Sequence, residues 1–241
     1  MHRVLVVDAG NTIVKFTAFV DADVQWVIRQ EACPEDTNFI PDAIYFASVR
    51  SEEQGKALIS EIETVYPDSA LVVLNSELVE CGVKNAYKEP QRLGIDRWLS
   101  VVAAHHLIEG DVVVVDAGTA IKVDVVNVNG QHLGGYIVPG LTMMEAALIS
   151  NTARIRYEEN EVGVGVGLPD STARAVTEGC YEMVLGFLER IHLQYQEYKW
   201  VATGGDAQSL LDRLGIPVER QPDLVAIGAK LVGDKYMRIN R

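Results

Sequence analysis

The sequence predicts an α/β protein built from two duplicated halves, on three observations. A run of consecutive apolar residues, Val4-Leu5-Val6-Val7, ends in Asp8-Ala9-Gly10, and the arrangement returns as Val112-Val113-Val114-Val115 before Asp116-Ala117-Gly118. Between residues 4–13 and 112–121, an offset of 108, seven of ten positions are identical. Segments with helical spacing follow each run. A short unbroken apolar run suits a strand covered on both faces, and helices are what cover it. Valine alone would make two such runs look alike, so the shared Asp-Ala-Gly carries the argument for duplication. The halves are predicted to divide near residue 110, as 1–110 and 111–241. No low-complexity linker separates them, which predicts packing across a cleft.

In order along the chain, residues 4–7 form the first strand and Asp8-Ala9-Gly10-Asn11 a turn. Residues 12–20 and 24–32 supply a second and a third strand, the first two joined as a hairpin. Ala57, Leu58, Ile62 and Val65 have helical spacing, residues 70–74 return to strand character, and residues 96–108 read as a helix with Leu99, Val102 and Ala103 on its apolar face. The second half opens with the strand at 112–115. It continues through Gly134-Gly135 and Pro139-Gly140, a long helix from Thr172 to about Tyr195, and Ala202-Thr203-Gly204-Gly205-Asp206.

Composition narrows the function classes. The 241 residues carry 21 Lys+Arg against 34 Asp+Glu, a net charge of −13, with 48% hydrophobic residues. That apolar fraction argues for a packed core and against disorder. The acidic balance, with no Lys/Arg cluster, argues against a nucleic-acid partner. Cys33, Cys81 and Cys180 share no close spacing, which gives no zinc motif and no disulfide scaffold. No apolar run approaches the roughly 18 residues that span a bilayer, and the N-terminus does not have the form of a signal peptide. The expectation is a cytoplasmic protein without a membrane partner.

The chemistry is concentrated in the two Asp-x-Gly turns and one further cluster. A glycine after a strand lets backbone N–H groups approach phosphate oxygens, and Asn11 and Thr12 add donors. Asp8 can hold a hydrated cation, and Lys15 lies where a positive charge could reach phosphates. Neither GxxxxGK[ST] nor GxGxxG after a strand is present. Taken singly, Asp8-x-Gly10 is also an ordinary hairpin turn; its duplication favours nucleotide binding. The further cluster is Tyr87 with Leu93-Gly94-Ile95-Asp96-Arg97-Trp98. Asp96 and Arg97 at a helix start have a bland explanation, a carboxylate on the helix dipole and a surface charge. The functional alternative makes Asp96 the acceptor of a substrate hydroxyl proton during phosphoryl transfer.

The ordered series Asp8-Ala9-Gly10-Asn11-Thr12-Ile13-Val14-Lys15, Gly94-Ile95-Asp96-Arg97, Asp116-Ala-Gly-Thr-Ala120, Gly134-Gly135…Pro139-Gly140, Ser171-Thr172 and Thr203-Gly204-Gly205-Asp206 resembles the type III pantothenate kinases over nearly the whole chain. The resemblance implies two duplicated ribonuclease-H-like domains of the actin-like, hexokinase-like ATPase superfamily, with mixed sheets flanked by helices. It implies ATP-dependent phosphorylation of pantothenate to 4'-phosphopantothenate, the first step of coenzyme A biosynthesis. Asp8 to Lys15 would be the ATP phosphate loop, with Thr119 a second ATP contact. Asp96 would be the general base, and Tyr87, Gly94, Ile95, Asp96, Arg97 and Thr172 would contact pantothenate. Asp116 would be the ligand of a monovalent cation, potassium or ammonium, and a divalent magnesium ion would serve as a further cofactor, with Asp8 near the metal and phosphates. A homodimer is implied as well. The rivals are a kinase of another small hydroxylated metabolite and a non-catalytic regulatory homologue of the transcription-accessory kind. One position departs from the family pattern: Lys122 stands where a threonine is usual, while Asp124 is kept. Its long cationic side chain could add a phosphate contact or point to solvent.

Overall fold

The computed structural model describes residues 2–35, 38–163 and 165–239. The chain falls into two compact units, one of residues 1–109, 126–134 and 223–241, the other of residues 110–125 and 135–222. The first boundary lies beside residue 110. The C-terminal segment, however, belongs to the first unit, as does the turn at 126–134.

The first unit begins with β1 (Arg3–Ala9), β2 (Val14–Val20) and β3 (Asp23–Gln30), a meander in which each strand pairs antiparallel with the next. β4 (Ala43–Ser48) then pairs parallel with β1, and β5 (Ala70–Val73) parallel with β4, giving the order β3-β2-β1-β4-β5. β1 is central, and Val4, Leu5, Val6 and Val7 are all fully buried, which is why this strand reads as an unbroken apolar run. One face packs on α1 (Glu52–Val65), where Leu58 and Ile62 meet Leu5, Val7, Phe16, Ile44 and Phe46. The start of α1 is written in sequence: Ser51 and Gln54 form a reciprocal capping box, with Glu52 and Glu53 in the first turn.

A short hairpin, β6 (Val79–Glu80) and β7 (Val83–Lys84), precedes α2 (Ile95–Leu107). Cys81 and Gly82, at φ of 45° and 83°, make its two-residue turn. α2 is buried over Arg97–Ala104, including Trp98 at 0% exposure. What covers it is α6 (Leu224–Ile239), the helix that returns the chain to the first unit. The Tyr45 hydroxyl donates to Asp234 of α6 at 2.7 Å, and Lys235 and Tyr236 both reach the buried Glu80 carboxylate.

The second unit repeats the pattern. β8 (Val112–Ala117), β9 (Ala120–Val126), β10 (His132–Pro139), β11 (Lys199–Thr203) and β12 (Val218–Arg220) form a sheet in the order β10-β9-β8-β11-β12. The order matches that of the first sheet strand for strand, and β8–β11 and β11–β12 are again parallel. The core joins Val113, Val115 and Ala117 to Val184, Leu188 and Ile191 of α4 (Thr172–Gln194) and to Leu210 and Leu211 of α5 (Ala207–Arg213). α3 (Leu141–Asn151) lies beside α4 and has no buried residue. Cys33, Cys81 and Cys180 are free thiols, and burial pushes the Cys33 thiol up to about 12. Among the described residues no helix is long and apolar enough to cross a membrane.

Candidate active site

In the first unit the β1–β2 connection spans residues 10–13. Asp8 stands opposite Lys15 across the antiparallel pair, and Ala9 opposite Val14. Ala9 and Val14 are buried, anchoring the two strand ends, whereas Asn11, Thr12 and Ile13 are exposed at the tip. A Cβ at Gly10 would lie 3.1 Å from the Ile13 carbonyl, a tight contact that glycine avoids. Lys15 Nζ pairs with Asp223 at 2.7 Å, just ahead of α6.

Arg50, which sequence reasoning passed over, braces this turn. Its Nε donates to the Gly10 carbonyl at 2.7 Å, while its two terminal nitrogens grip Glu31 at 2.9 and 3.1 Å. The guanidinium holds the Glu31 carboxyl below the usual carboxylate range. The available signal was local: Val49-Arg50 follows a buried apolar strand, the position at which loop residues gather functional contacts in open α/β sheets.

Asp96 occupies the first turn of α2, with Gly94 as N-cap and Ile95 between them. One carboxylate oxygen accepts the N–H of Arg97 at 2.8 Å, which turns the side chain back over the helix start. A Cβ on Gly94 would lie 2.7 Å from that same oxygen, so this orientation requires glycine at 94. Arg97 is 4% exposed, which excludes the surface-charge explanation of it. It donates to the Tyr87 hydroxyl at 3.0 Å. Tyr87 is positioned in turn by the buried Asn85, whose side-chain oxygen accepts the Tyr87 N–H at 2.9 Å. Tyr87, Gly94, Ile95, Asp96 and Arg97 are therefore brought together around one helix start.

The second unit holds Asp116, Thr119 and Thr172. Asp116 is the penultimate residue of β8, beside Thr203 of β11, and Thr119 is exposed in the two-residue turn before β9. Gly140 closes on this turn: its N–H donates to the Thr119 carbonyl at 3.0 Å, and a Cβ there would be 2.1 Å from the Gly118 carbonyl. Thr172 opens α4 behind Ser171, whose hydroxyl accepts the Arg174 N–H at 3.3 Å. The Gly163–Gly167 loop precedes it; Val164 lies outside the described residues. Arg174, almost wholly buried, reaches Asp170, Glu178 and the Gly167 carbonyl.

Lys122 does not point to solvent. Its Nζ lies 2.8 Å from a carboxylate oxygen of Asp116, the residue that the resemblance gives to a monovalent cation. A free cation therefore fits poorly at Asp116. A divalent ion fits better elsewhere. Among the described residues no three His, Cys, Asp or Glu side chains are grouped to hold a metal by themselves. Magnesium carried by a nucleotide draws most of its ligands from phosphate and water and needs only one or two carboxylates, a role open to Asp8.

Comparison with known proteins identifies the family. The model of the type III pantothenate kinase family matches residues 4–194. A type III pantothenate kinase from a Marinomonas species is 65% identical over 239 residues, covering 99% of this chain and 98% of the relative. Among solved structures, a conserved Campylobacter jejuni protein assigned to the Baf family of transcriptional activators superposes with a TM-score of 0.64 at 23% identity, over 97% of this chain and 99% of that one. A Listeria monocytogenes protein assigned as an N-acetylmannosamine kinase gives 0.55 at 11% identity, over 99% and 100%. These two likenesses are of fold alone. The match across most of the chain and the high whole-length identity together establish that this chain belongs to the type III pantothenate kinase family.

Proposed function

We propose that the protein transfers the γ-phosphoryl group of ATP to the primary hydroxyl of pantothenate, releasing ADP and 4'-phosphopantothenate, with Asp96 as general base. The observation that carries the reading is the Asp96 carboxylate, turned back over the start of α2 by the Arg97 N–H and by the space left at Gly94. Phosphoryl transfer asks little covalent chemistry of a protein. It needs the acceptor oxygen placed in line with the γ-phosphorus and a group to take its proton. Asp96 takes that proton as the oxygen–phosphorus bond forms and the bond to ADP breaks. Arg97 and Tyr87, joined by a hydrogen bond, offer a cation and a phenol to an acceptor rich in hydroxyl, amide and carboxylate groups.

The Asp8–Lys15 turn is the nucleotide side of this reading. Bound with ATP, magnesium would neutralise charge at the transferring phosphate, with Asp8 as its protein carboxylate. Arg50 then acts as a brace that sets where the Gly10 peptide points. Arg50→Ala removes a charge-assisted hydrogen bond and should raise KM for ATP roughly tenfold, the equivalent of about 1.4 kcal/mol. KM for pantothenate should change far less, and steady-state kinetics with each substrate varied in turn checks this.

Pantothenate itself is tested by ATP consumption over a panel of small hydroxylated acids, amides and sugars. The reading requires pantothenate to exceed every other acceptor by at least a hundredfold in kcat/KM. Equal turnover of another acceptor sinks it. The regulatory alternative has less support, since Asp8, Asp96 and both Asp-Ala-Gly turns are retained.

A homodimer is the reading of the second unit's surface. Tyr136 and Ile137 on the edge strand β10, Met143 on α3 and Met183 and Leu193 on α4 are all more than two-fifths exposed. Tyr136 stacks edge-on against Phe187 of α4, which makes β10 and α4 neighbours at this surface. We read these exposed apolar side chains as an interface. Light scattering should give twice the chain mass, and Met183→Glu should raise the dimer dissociation constant at least tenfold by burying unpaired charge.

A further inference from the structure

We infer that Lys122 supplies, as a tethered ammonium, the positive charge that Asp116 requires, so that this site takes no exchangeable monovalent cation. The geometry is specific. Lys122 lies on β9 between Ile121 and Val123, both buried in the core, so its side chain leaves the opposite face of the strand. Its Nζ reaches Asp116 Oδ2 at 2.8 Å, and each of the two side chains is only 22% exposed. The other carboxylate oxygen faces Gly204, at φ of 83°, where a side chain could not be accommodated: a Cβ there would lie 2.7 Å from Asp116 Oδ1 and 2.3 Å from the Ala117 carbonyl. Asp116 thus already has an ammonium on one carboxylate oxygen.

A lysine head group is a compact monovalent cation with three donors, chemically an alkylated ammonium ion. Attached to the neighbouring strand, it meets Asp116 as an intramolecular partner and a dissolved ion must compete with it. A potassium ion on the same oxygen would also sit within a few ångströms of Nζ, where like charges repel. The threonine that the resemblance implies at this position carries no charge of its own. The departure at residue 122 and the ion pair at Asp116 are therefore one feature.

The inference rests on the proposed activity for its kinetic test but not for its binding test. In the binding test, wild-type protein without nucleotide is melted in potassium, ammonium and tetramethylammonium chloride at equal ionic strength. The three midpoints should agree within about a degree, whereas Lys122→Thr should melt measurably higher in potassium or ammonium than in tetramethylammonium. In the kinetic test, wild-type initial rates should stay within about twofold when potassium is replaced by tetramethylammonium. Lys122→Thr should lose at least tenfold without potassium and regain it when potassium is added. Lys122→Arg, which keeps the charge, should remain insensitive to potassium, and it serves if the threonine variant does not fold. Potassium-specific stabilisation of the wild type, or a tenfold loss of its rate without potassium, overturns the inference. If no pantothenate is phosphorylated, the melting test still decides the cation site while the proposed activity fails alone.

Discussion

Asp96→Asn should lower kcat for pantothenate phosphorylation by about 10² to 10⁴-fold, the range removed with a general base, and leave KM for ATP within about twofold. The substitution is nearly isosteric, and the asparagine side-chain oxygen can still accept the Arg97 N–H that orients Asp96 at 2.8 Å. The structural cost is confined to the loss of a negative charge in the first turn of α2, about 0.3–1 kcal/mol. For a chain of this size that corresponds to a midpoint shift of no more than about 4 °C. A variant that melts near the wild type, binds ATP normally and turns over a hundredfold more slowly would isolate the chemical role. If Asp96 were present only to satisfy the helix dipole, the same variant would lose the small increment of stability and keep its turnover.

Gly228→Ala should destabilise the protein by about 3 kcal/mol or more, a fall in melting midpoint of roughly 6–12 °C. A Cβ at this position would stand 2.0 Å from the Leu99 carbonyl oxygen and 2.7 Å from its carbon. Both are backbone atoms of α2, so no rotamer change can relieve the overlap and the two helices must part. On an open helix the same change is stabilising by up to about 1 kcal/mol, because alanine has the higher helix propensity. Gly179→Ala on α4, where nothing lies within 4 Å of the added carbon, should therefore raise the midpoint. The opposite signs of two identical substitutions would attribute the loss to the α2–α6 contact. Because α2 begins with Asp96, the Gly228 variant should also lose activity at temperatures where it remains folded.

These two positions differ in how far the sequence betrays them. Asp96 stands in a dense local motif, and the local chemistry of a helix start could be reasoned about without coordinates. Gly228 sits in a helix with no motif, and its reason for being glycine is a residue 129 positions away, Leu99. The same contrast runs through the fold. The twin strands β1 and β8 were legible because central strands covered on both faces leave unbroken apolar runs. The ungapped repeat nevertheless breaks down at its end. Ile13 is 42% exposed in a four-residue connection, whereas Ile121 is buried in β9 because the second connection is shorter by two residues. The return of α6 to the first unit left no trace in composition, since a helix carries no record of which sheet it will cover.

In the candidate site, Asp8, Gly10, Gly94 and Asp96 were legible from turn and helix-start chemistry. Arg97 was legible as a residue of interest but not as a buried one. Its burial depends on Tyr87 and on the packing of α2, which are tertiary facts. Arg50 and the Lys122–Asp116 pair were hidden for the same reason: each acts through a partner on another strand or turn, at a separation that strand register decides. Local pattern locates the backbone turns that chemistry needs; the side chains that brace or neutralise them come from sequence neighbours only by accident.

The most direct measurement follows the phosphoryl group itself. With wild-type protein, ATP and pantothenate, phosphorus NMR should record one new phosphomonoester on the primary hydroxyl of pantothenate for each ADP formed, with no ADP released when pantothenate is omitted. ATP hydrolysis without that ester, or ATP binding with no pantothenate-dependent ADP at all, would contradict the assignment of this chain as a pantothenate kinase acting through Asp96.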